Sequence, residues 1–224
     1  EKATARYQGR VDAGGKRGGC GGYLLPVQCK TGVIAEHKAV RSAAGLFDIS
    51  HMGELVIEGE NTLAFLQNLL TNNMAGMQDG DCRYSPMCYE NGGVVDDLIV
   101  YRSSEERYRM VVNASNKDKD VEWMRDHLMD GVSLLDESDA VAALALQGPK
   151  AADVLEMLVD DAAWLPQKNY TFVEDIVVAG VSCLVSRTGY TGEDGFELYC
   201  PSASAPALWD ALLAAGKEHG LIPC

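Results

Sequence analysis

The sequence predicts an α+β fold in which the strands are organised as hairpins rather than as regular βαβ units. Strand-like runs come in pairs that are joined by short polar or glycine-containing turns, which is typical of antiparallel hairpins. Between these pairs, apolar residues recur at the three- and four-residue spacing of amphipathic helices. A length of 224 residues allows either one large domain or two smaller ones.

The N-terminal part of the chain begins with little regular patterning. Residues 9–22 read GRVDAGGKRGGCGG, which is too rich in glycine for regular structure and predicts a flexible loop. A phosphate-binding loop is not favoured, because Lys16 is not followed by Ser or Thr and no strand precedes it. The next stretch predicts a helix over residues 35–45, with Gly45 as its C-cap.

The rest of the chain alternates between predicted strands and helices. Its first half gives a strand at 54–59, a helix that begins at the Asn61 cap, a hairpin formed by 92–102 and 107–114, and a helix over 116–131. Its second half gives a strand at 140–147, a helix over 148–161, a hairpin over 175–189 with Ala-Gly at its turn, a strand at 196–200, and a helix over 204–220.

Composition and charge exclude several classes of function. The formal net charge is −14, which disfavours a protein that binds nucleic acid or an anionic membrane. No apolar run approaches the length of a membrane span. The seven cysteines are irregularly spaced without a CxxC pair, so we expect reduced thiols and no structural zinc. The four histidines form no HExxH motif, and no metal is expected.

The strand GGVVDDLIVYR (92–102) contains two aspartates in apolar company. Alternation places Asp97 with Val95 on one face and Asp96 with Leu98 on the other, so one carboxylate must meet the core. Such a group is a candidate for a perturbed pKa and a functional role. The alternative is a structural acid that is bonded to backbone N–H groups or to an arginine such as Arg83 or Arg102.

Two further polar clusters are candidates for a site. In SRTGYTGEDGFELY (186–199), glycines shape a loop with Tyr190 near its tip, where a flat side chain suits stacking on a planar ligand. Glu197 follows in a strand and points away from its apolar neighbours. A hairpin that carries surface acids is the structural alternative. In FDISHMGE (47–54), His51 is either a general base or, with better support, a core or capping histidine.

Five segments together resemble the glycine cleavage T-protein family, the tetrahydrofolate-dependent aminomethyltransferases. They run in the family order from about residue 23 to the C-terminus. They are AEHKAVRSAAGLFDISHMGE, MCYENGGVVDDLIVYR, YRMVVNASNKDKDVEW, LALQGPKAADVL and SRTGYTGEDGFELY.

The resemblance implies a reaction, a co-substrate and a partner. The family takes an aminomethyl group from the lipoyl arm of the H protein and transfers its methylene to tetrahydrofolate. The products are 5,10-methylenetetrahydrofolate, ammonia and the dihydrolipoyl H protein. Folate supplies the reactive nitrogen, so neither a nucleophilic side chain nor a metal is required. The compartment implied is the bacterial cytoplasm or the mitochondrial matrix.

The resemblance also assigns roles to individual residues. Asp97 matches the key acid of the family, which orients the folate and helps its N10 act as the nucleophile. We therefore expect Asp97 to be the acid that the apolar strand carries. Glu197 matches a glutamate that hydrogen-bonds the pterin. The remaining positions match residues that line the folate pocket or lie beside it: Met52, Tyr84, Asn113 and Tyr190.

The resemblance implies the first two domains of a three-domain cloverleaf. We expect the first domain to comprise residues 1–52 and 140–224, and the inserted second domain, which carries Asp97, to comprise residues 53–139. Residues 1–22 depart from the family pattern. The family continues past Cys224 into a segment whose arginine contacts the folate tail, and then into a β-rich domain. We therefore expect a truncated T protein that binds folate weakly by itself.

Two rival functions use the same fold. A non-catalytic folate-binding scaffold or assembly factor would not need an acid beside N10, so Asp97 argues against it. A folate-linked demethylation module would usually belong to a longer chain with a flavin-binding domain, and no GxGxxG strand-turn-helix is found here. Dependence on the H protein would separate these enzymes.

Overall fold

The computed structural model describes residues 2–4, 16–20 and 22–224. The chain forms two compact units, one made of the residues up to His51 together with Ala140–Cys224, and the other of Met52–Asp139. The strands are β1 (Lys2–Ala3), β2 (Lys16–Cys20), β3 (Tyr23–Gln28), β4 (Ala44–Asp48), β5 (Gly53–Glu58), β6 (Cys82–Cys88), β7 (Val94–Ser104), β8 (Arg107–Val112), β9 (Ser133–Asp136), β10 (Val141–Gln147), β11 (Phe172–Val178), β12 (Val181–Ser186), β13 (Gly195–Pro201) and β14 (Leu221–Pro223). The α-helices are α1 (Val33–Ser42), α2 (Thr62–Leu69), α3 (Lys117–Asp126), α4 (Ala151–Glu156) and α5 (Ala205–Gly216).

The first unit is built on a sheet with the strand order β11-β12-β13-β10-β4-β14. Neighbouring strands are antiparallel, except that β14 runs parallel to β4. The central strand β10 is apolar up to Gln147, and residues on both of its faces are buried, as Leu144 and Ala143 show. Leu144 belongs to the same core as Val154 of α4 and Leu208 of α5. A smaller sheet has the order β1-β3-β2.

The second unit has an antiparallel sheet with the order β6-β7-β8-β5-β9. Alternate residues of its strands, such as Leu98 of β7 and Met110 of β8, form the core. Phe65 of α2 and Met124 of α3 belong to the same core, so these two helices cover one face of the sheet. Burying apolar side chains of this size contributes about 1.5–3 kcal/mol each.

The predicted α+β class is confirmed, and the hairpins account for most of the agreement. β7 pairs with β8, and β11 pairs with β12, both in antiparallel register. The Ala179–Gly180 turn between β11 and β12 has φ of 50° and 82°. Positive φ at both central residues is the conformation of a two-residue turn that matches the twist of its strands.

Two predictions about glycines are wrong. Gly45 is not a helix C-cap, because α1 ends at Ser42 and Gly45 lies inside β4. A Cβ at Gly45 would lie 2.6 Å from Val40 Cγ2 and 2.8 Å from Cys224 Sγ, so close packing explains this glycine. The glycine-rich segment is not irregular throughout, because residues 16–20 pair with β3 as a strand. The remainder of the predicted loop, except Gly22, lies outside the described residues.

Candidate functional site

Strand β7 carries two aspartates whose side chains the structure separates. Asp96 is 5% exposed and shares its face with Leu98 and Val100, which belong to the core. Asp97 points to the opposite face and is exposed. The expectation that Asp97 is the buried acid is therefore wrong, because the core covers the face that carries Asp96.

Asparagine amides bind the buried carboxylate. Asp96 Oδ1 accepts hydrogen bonds from Asn113 Nδ2 at 3.0 Å and from Asn116 Nδ2 at 2.9 Å. The two arginines that the sequence suggested as partners, Arg83 and Arg102, donate to other groups. The Asp96 carboxylate is therefore bound by side-chain amides rather than by the arginine that the sequence suggested.

A second carboxyl group lies against Asp96. Asp120 is on α3, one turn after Asn116 and one turn before Met124, on the stripe that faces the sheet. It is 0% exposed. Burial, the hydrogen bond with Asp96 and the negative charge of Asp96 together raise the pKa of Asp120 to about 8. Burial alone would raise the pKa of Asp96 as well, but hydrogen bonds from Asp120 and the two asparagines hold it below its usual value of 3.8.

Asn113 connects the buried carboxylate to the exposed one. Its Nδ2 also donates to Asp97 Oδ1 at 3.2 Å and to the Asp97 carbonyl at 3.0 Å. When the ladders that join β8 to β7 and to β5 are continued by one residue, Asp97 and Met52 lie on either side of Asn113. Directly opposite residues on antiparallel strands share a face, so these three side chains form a row.

Tyr84 lies beside this row. It pairs with Ile99 across the β6–β7 ladder, two residues along β7 from Asp97, and it therefore shares the exposed face. Its side chain is 48% exposed. The second unit thus brings together four of the six predicted site residues.

Glu197 belongs to the first unit, in strand β13. It is half-buried between Phe196 and Leu198, which point into the core. Its Oε2 accepts hydrogen bonds from Thr188 Oγ1 and, at 3.2 Å, from the Tyr199 hydroxyl. These contacts set the orientation of the carboxylate.

The glycine-containing loop before Glu197 is held by Gln147, the last residue of β10. Gln147 is buried, and its Nε2 donates to the carbonyls of Thr188 at 3.0 Å and Phe196 at 3.4 Å. Its Oε1 accepts from Thr191 Oγ1 at 2.9 Å. A single amide therefore joins both ends of the segment that carries the predicted site residues of this unit.

Tyr190 is fully exposed at the tip of this loop. It lines a cavity of about 510 Å³ together with Thr191, Arg41 and His51, and the described residues that line it do not include Glu197. The His51 ring makes an edge-on contact with Tyr23, with centroids 6.4 Å apart. The interpretation of His51 as a core or capping histidine rather than a general base stays a prediction.

Sequence reasoning missed the residues that support these side chains. Asn116 and Asp120 act on β7 from a neighbouring helix, and Gln147 acts on a loop 41 residues further along the chain. One signal was present, since Asn116 and Asp120 fall on the apolar stripe of α3 at the i, i+4 spacing. A polar residue on such a stripe predicts a buried hydrogen-bond partner.

A family model described as the GCVT N-terminal domain matches residues 7–224. The chain belongs to this family. The resemblance inferred from the five segments is thereby confirmed. The match leaves out only the first six residues, so it includes the second unit and nearly all of the first unit of this GCVT-domain chain.

Curated relatives of this GCVT-domain chain are named aminomethyltransferases. That of Halalkalibacterium halodurans is 53% identical over 223 residues, which cover 100% of this chain and 60% of the relative. That of Bacillus licheniformis is 49% identical over 224 residues, which cover 100% of this chain and 61% of the relative. The chain thus spans about 60% of the length of these curated relatives.

Solved structures show the same fold. The crystal structure of glycine cleavage system aminomethyltransferase T from Bartonella henselae matches with a TM-score of 0.87 and 34% identity, and the match covers 99% of this chain and 59% of that one. The heterotetrameric sarcosine oxidase from Corynebacterium sp. U-96 matches with a TM-score of 0.60 and 17% identity, over 84% of this chain and 92% of that one. The second likeness concerns the fold alone.

Within the described part of the GCVT-domain chain, no helix has both the length and the apolar character that a membrane crossing requires. Across residues 2–4, 16–20 and 22–224, no group of three or more His, Cys, Asp or Glu side chains is arranged to hold a metal ion.

Proposed function

We propose that the chain takes part in tetrahydrofolate-dependent aminomethyl transfer in the glycine cleavage system. The names of relatives that are about 50% identical to the whole chain support this reaction. Those relatives extend beyond the match, so the activity is a proposal for this chain rather than a property carried over from them. The inserted unit, which carries Asp97, is proposed to be the second domain of the T-protein fold.

The single observation that carries the proposal is the row of Met52, Asn113 and Asp97, with Tyr84 beside it. An exposed carboxylate that is oriented by a side-chain amide suits a substrate nitrogen as its partner. An exposed aromatic ring nearby suits a planar heterocycle.

The side chains present fit a reduced folate. The pterin ring carries several N–H groups, and carboxylates are acceptors when ionised. In the second unit, Asp97 is proposed as such an acceptor. In the first unit, considered by itself, Glu197 is proposed as such an acceptor, with Tyr190 as an aromatic contact. Each acid is oriented by hydrogen bonds from its own unit, which reduces the ordering required when a ligand binds.

Asp97 is proposed as the catalytic residue. Its carboxylate would orient folate N10 towards the carbon that is transferred and stabilise positive charge that develops on nitrogen. Asn113 supports this role, because its amide bonds both the side chain and the backbone carbonyl of Asp97. No nucleophilic side chain is required, since folate provides the nitrogen that forms the new bond.

The proposed partner is the H protein with an aminomethyl group on its lipoyl arm. In the balanced reaction, the methylene carbon leaves the lipoyl sulfur and its amine, and forms bonds to two folate nitrogens. Ammonia and the dihydrolipoyl thiol are the other products. For this donor, the lipoyl arm would have to reach the face that carries Asp97.

Calorimetric titration of tetrahydrofolate into the 224-residue chain tests the binding part. We expect saturable binding that Glu197→Ala weakens by about tenfold or more, because a hydrogen bond to a charged group is lost. Glu218→Ala, which removes an exposed glutamate of the same unit, is the matched control and should leave binding unchanged. Equal effects of the two substitutions would contradict the role of Glu197.

Transfer is tested with aminomethylated H protein and tetrahydrofolate, by measuring ammonia and methylenetetrahydrofolate together. Asp97→Asn should keep most of the folate affinity and lower the transfer rate by about a hundredfold or more, the usual contribution of acid–base groups. Ammonia release that neither requires folate nor changes in Asp97→Asn would rule out the proposed function.

A further inference from the structure

The carboxyl pair formed by Asp96 and Asp120 has no place in the function proposed above. Asp120 is 0% exposed and Asp96 is 5% exposed. Apart from the contact between them, Asp96 Oδ2 and both oxygens of Asp120 have no hydrogen-bond partner among the described residues. Two buried oxygens that face each other can be satisfied only if one carboxyl group carries a proton.

The surroundings determine which carboxyl group holds the proton. Asp96 accepts from the amides of Asn113 and Asn116, and these donors favour its ionised form. Asp120 faces the negative charges of Asp96 and Asp97 from β7, while Lys119 of its own helix supplies the nearby positive charge. The Lys119 ammonium is itself directed to the Val95 carbonyl at 2.5 Å. The proton therefore belongs to Asp120.

We propose that protonated Asp120 is a positioning residue, which donates a hydrogen bond to Asp96 and through Asn113 holds the Asp97 carboxylate in place. The inference rests on the transfer role proposed for Asp97. The proposed connection is continuous: the buried Asp120 carboxyl faces Asp96, Asp96 Oδ1 accepts from Asn113, and the same Asn113 amide bonds Asp97. Asp120 of α3 thereby fixes the position of the Asp97 side chain indirectly, through Asp96 and Asn113.

Loss of the proton should disrupt this network. The pKa of Asp120 is raised to about 8, so the network is intact at neutral pH and fails above that value. An ionised Asp120 would place two negative charges together in the core, and Asp96 would turn away from it. The Asn113 side chain would then move with Asp96, and Asp97 would lose its hydrogen bond from the Asn113 amide.

The same proton links stability to pH. The folded chain holds it more tightly than the unfolded chain, in which the pKa of Asp120 returns to its usual value of 3.8. Its contribution to stability is therefore complete below pH 3.8 and is lost as the pH rises to about 8. Asp120→Asn has no such proton, so this part of the pH dependence should disappear.

Three variants test the inference. Asp120→Ala removes the donor to Asp96, whereas Asp120→Asn replaces it with an amide N–H that does not titrate. Asp118→Asn, one exposed position of the same helix, is the matched control for a change of charge on α3. The first readout is the pair of Asn113 side-chain amide signals in NMR spectra recorded across pH 6–9, which require neither folate nor the H protein.

In the wild type and in Asp118→Asn, the Asn113 signals should shift with a midpoint of about pH 8. In Asp120→Asn they should stay close to their neutral-pH positions throughout. In Asp120→Ala they should be displaced at every pH. Asn113 signals that do not respond to pH in the wild type, or that respond equally in Asp120→Asn, would overturn the inference.

The second readout is kcat/KM for aminomethyl transfer. Asp120→Ala should lose about tenfold or more, mainly in kcat, because the orientation of Asp97 rather than folate binding is affected. Asp120→Asn should restore the rate and abolish the decline above pH 8. Asp120→Asn as slow as Asp120→Ala would overturn the inference. If the wild type transfers nothing, the proposed function fails, and the Asn113 signals alone decide whether the network exists.

Discussion

The contact between Gly189 and Gln147 allows a quantitative prediction about the loop that carries Tyr190. A Cβ at Gly189 would lie 2.1 Å from Gln147 Oε1 and 2.5 Å from its Cδ. An ordinary contact needs about 3.4 Å or more, so the amide must move by about 1 Å in Gly189→Ala. That movement breaks its hydrogen bonds to Thr188, Phe196 and Thr191. At about 1 kcal/mol for each bond, we expect a loss of about 2–3 kcal/mol in the free energy of unfolding.

A double-mutant cycle isolates this contact. Gln147→Ala alone should lose a similar amount, about 2–3 kcal/mol, because it removes the same hydrogen bonds. In the Gln147→Ala background, Gly189→Ala should cost only about 1 kcal/mol, the strain of its positive φ of 157°, since the clash is gone. Gly192→Ala is the matched control. Its φ of 77° costs about 1 kcal/mol in either background, and its nearest contact, 3.4 Å from Arg41, does not involve Gln147.

Urea unfolding followed by tryptophan fluorescence measures these free energies in the unit concerned. Trp164 and Trp209 lie in the first unit and Trp123 in the second, so a Trp123→Phe background restricts the signal to the first unit. If Gly189→Ala costs the same with and without the Gln147 side chain, the two residues are independent. That result would refute the reasoning.

Three further substitutions have expected effects on urea unfolding. Leu144→Ala empties a fully buried position in the core of the first unit and should cost about 2–5 kcal/mol, and a cost below 1 kcal/mol would contradict this packing. Arg109→Met should cost about 3–5 kcal/mol, because it removes the guanidinium that lies 3.6 Å from the buried Glu54 carboxylate, and an unchanged midpoint would argue against that ion pair. Arg41→Ala should cost less than about 1 kcal/mol, because its 2.9 Å ion pair with Glu193 is solvent-exposed, and a larger loss would indicate a structural role.

The hairpins could be predicted from the sequence because their signals are local. Alternation along β7 and β8 and the Ala179–Gly180 turn depend only on neighbouring residues. Gly45 could not be interpreted in this way, because the contacts that require a glycine come from α1 and from Cys224 at the far end of the chain. The predicted helix over 148–161 is likewise shortened to Ala151–Glu156 in the structure.

In the candidate site, too, local motifs could be predicted from the sequence, whereas contacts between distant segments could not. Motifs led to Asp97 and Asn113, and the structure places both on one face with a hydrogen bond between them. The face that becomes buried depends on where the helices pack, which is why Asp96 rather than Asp97 meets the core. Asp120 could not be predicted as a partner of Asp96, since 24 residues and a strand separate them in sequence.

The first unit is discontinuous in sequence, and this has a consequence for the order of folding during synthesis. β4 pairs with β10, although about 90 residues separate them along the chain. Closing so long a flexible segment costs about 4 kcal/mol of chain entropy, and β10 leaves the ribosome only after all of Met52–Asp139. When that continuous segment folds first, the flexible connection shrinks to the few residues beside Ile49 and Ala143, which bond each other at 2.9 Å. During synthesis, β4 therefore stays without its partner strand β10 until the second unit has been synthesised and has folded. A slow folding step in the second unit would then delay formation of the sheet in the first unit.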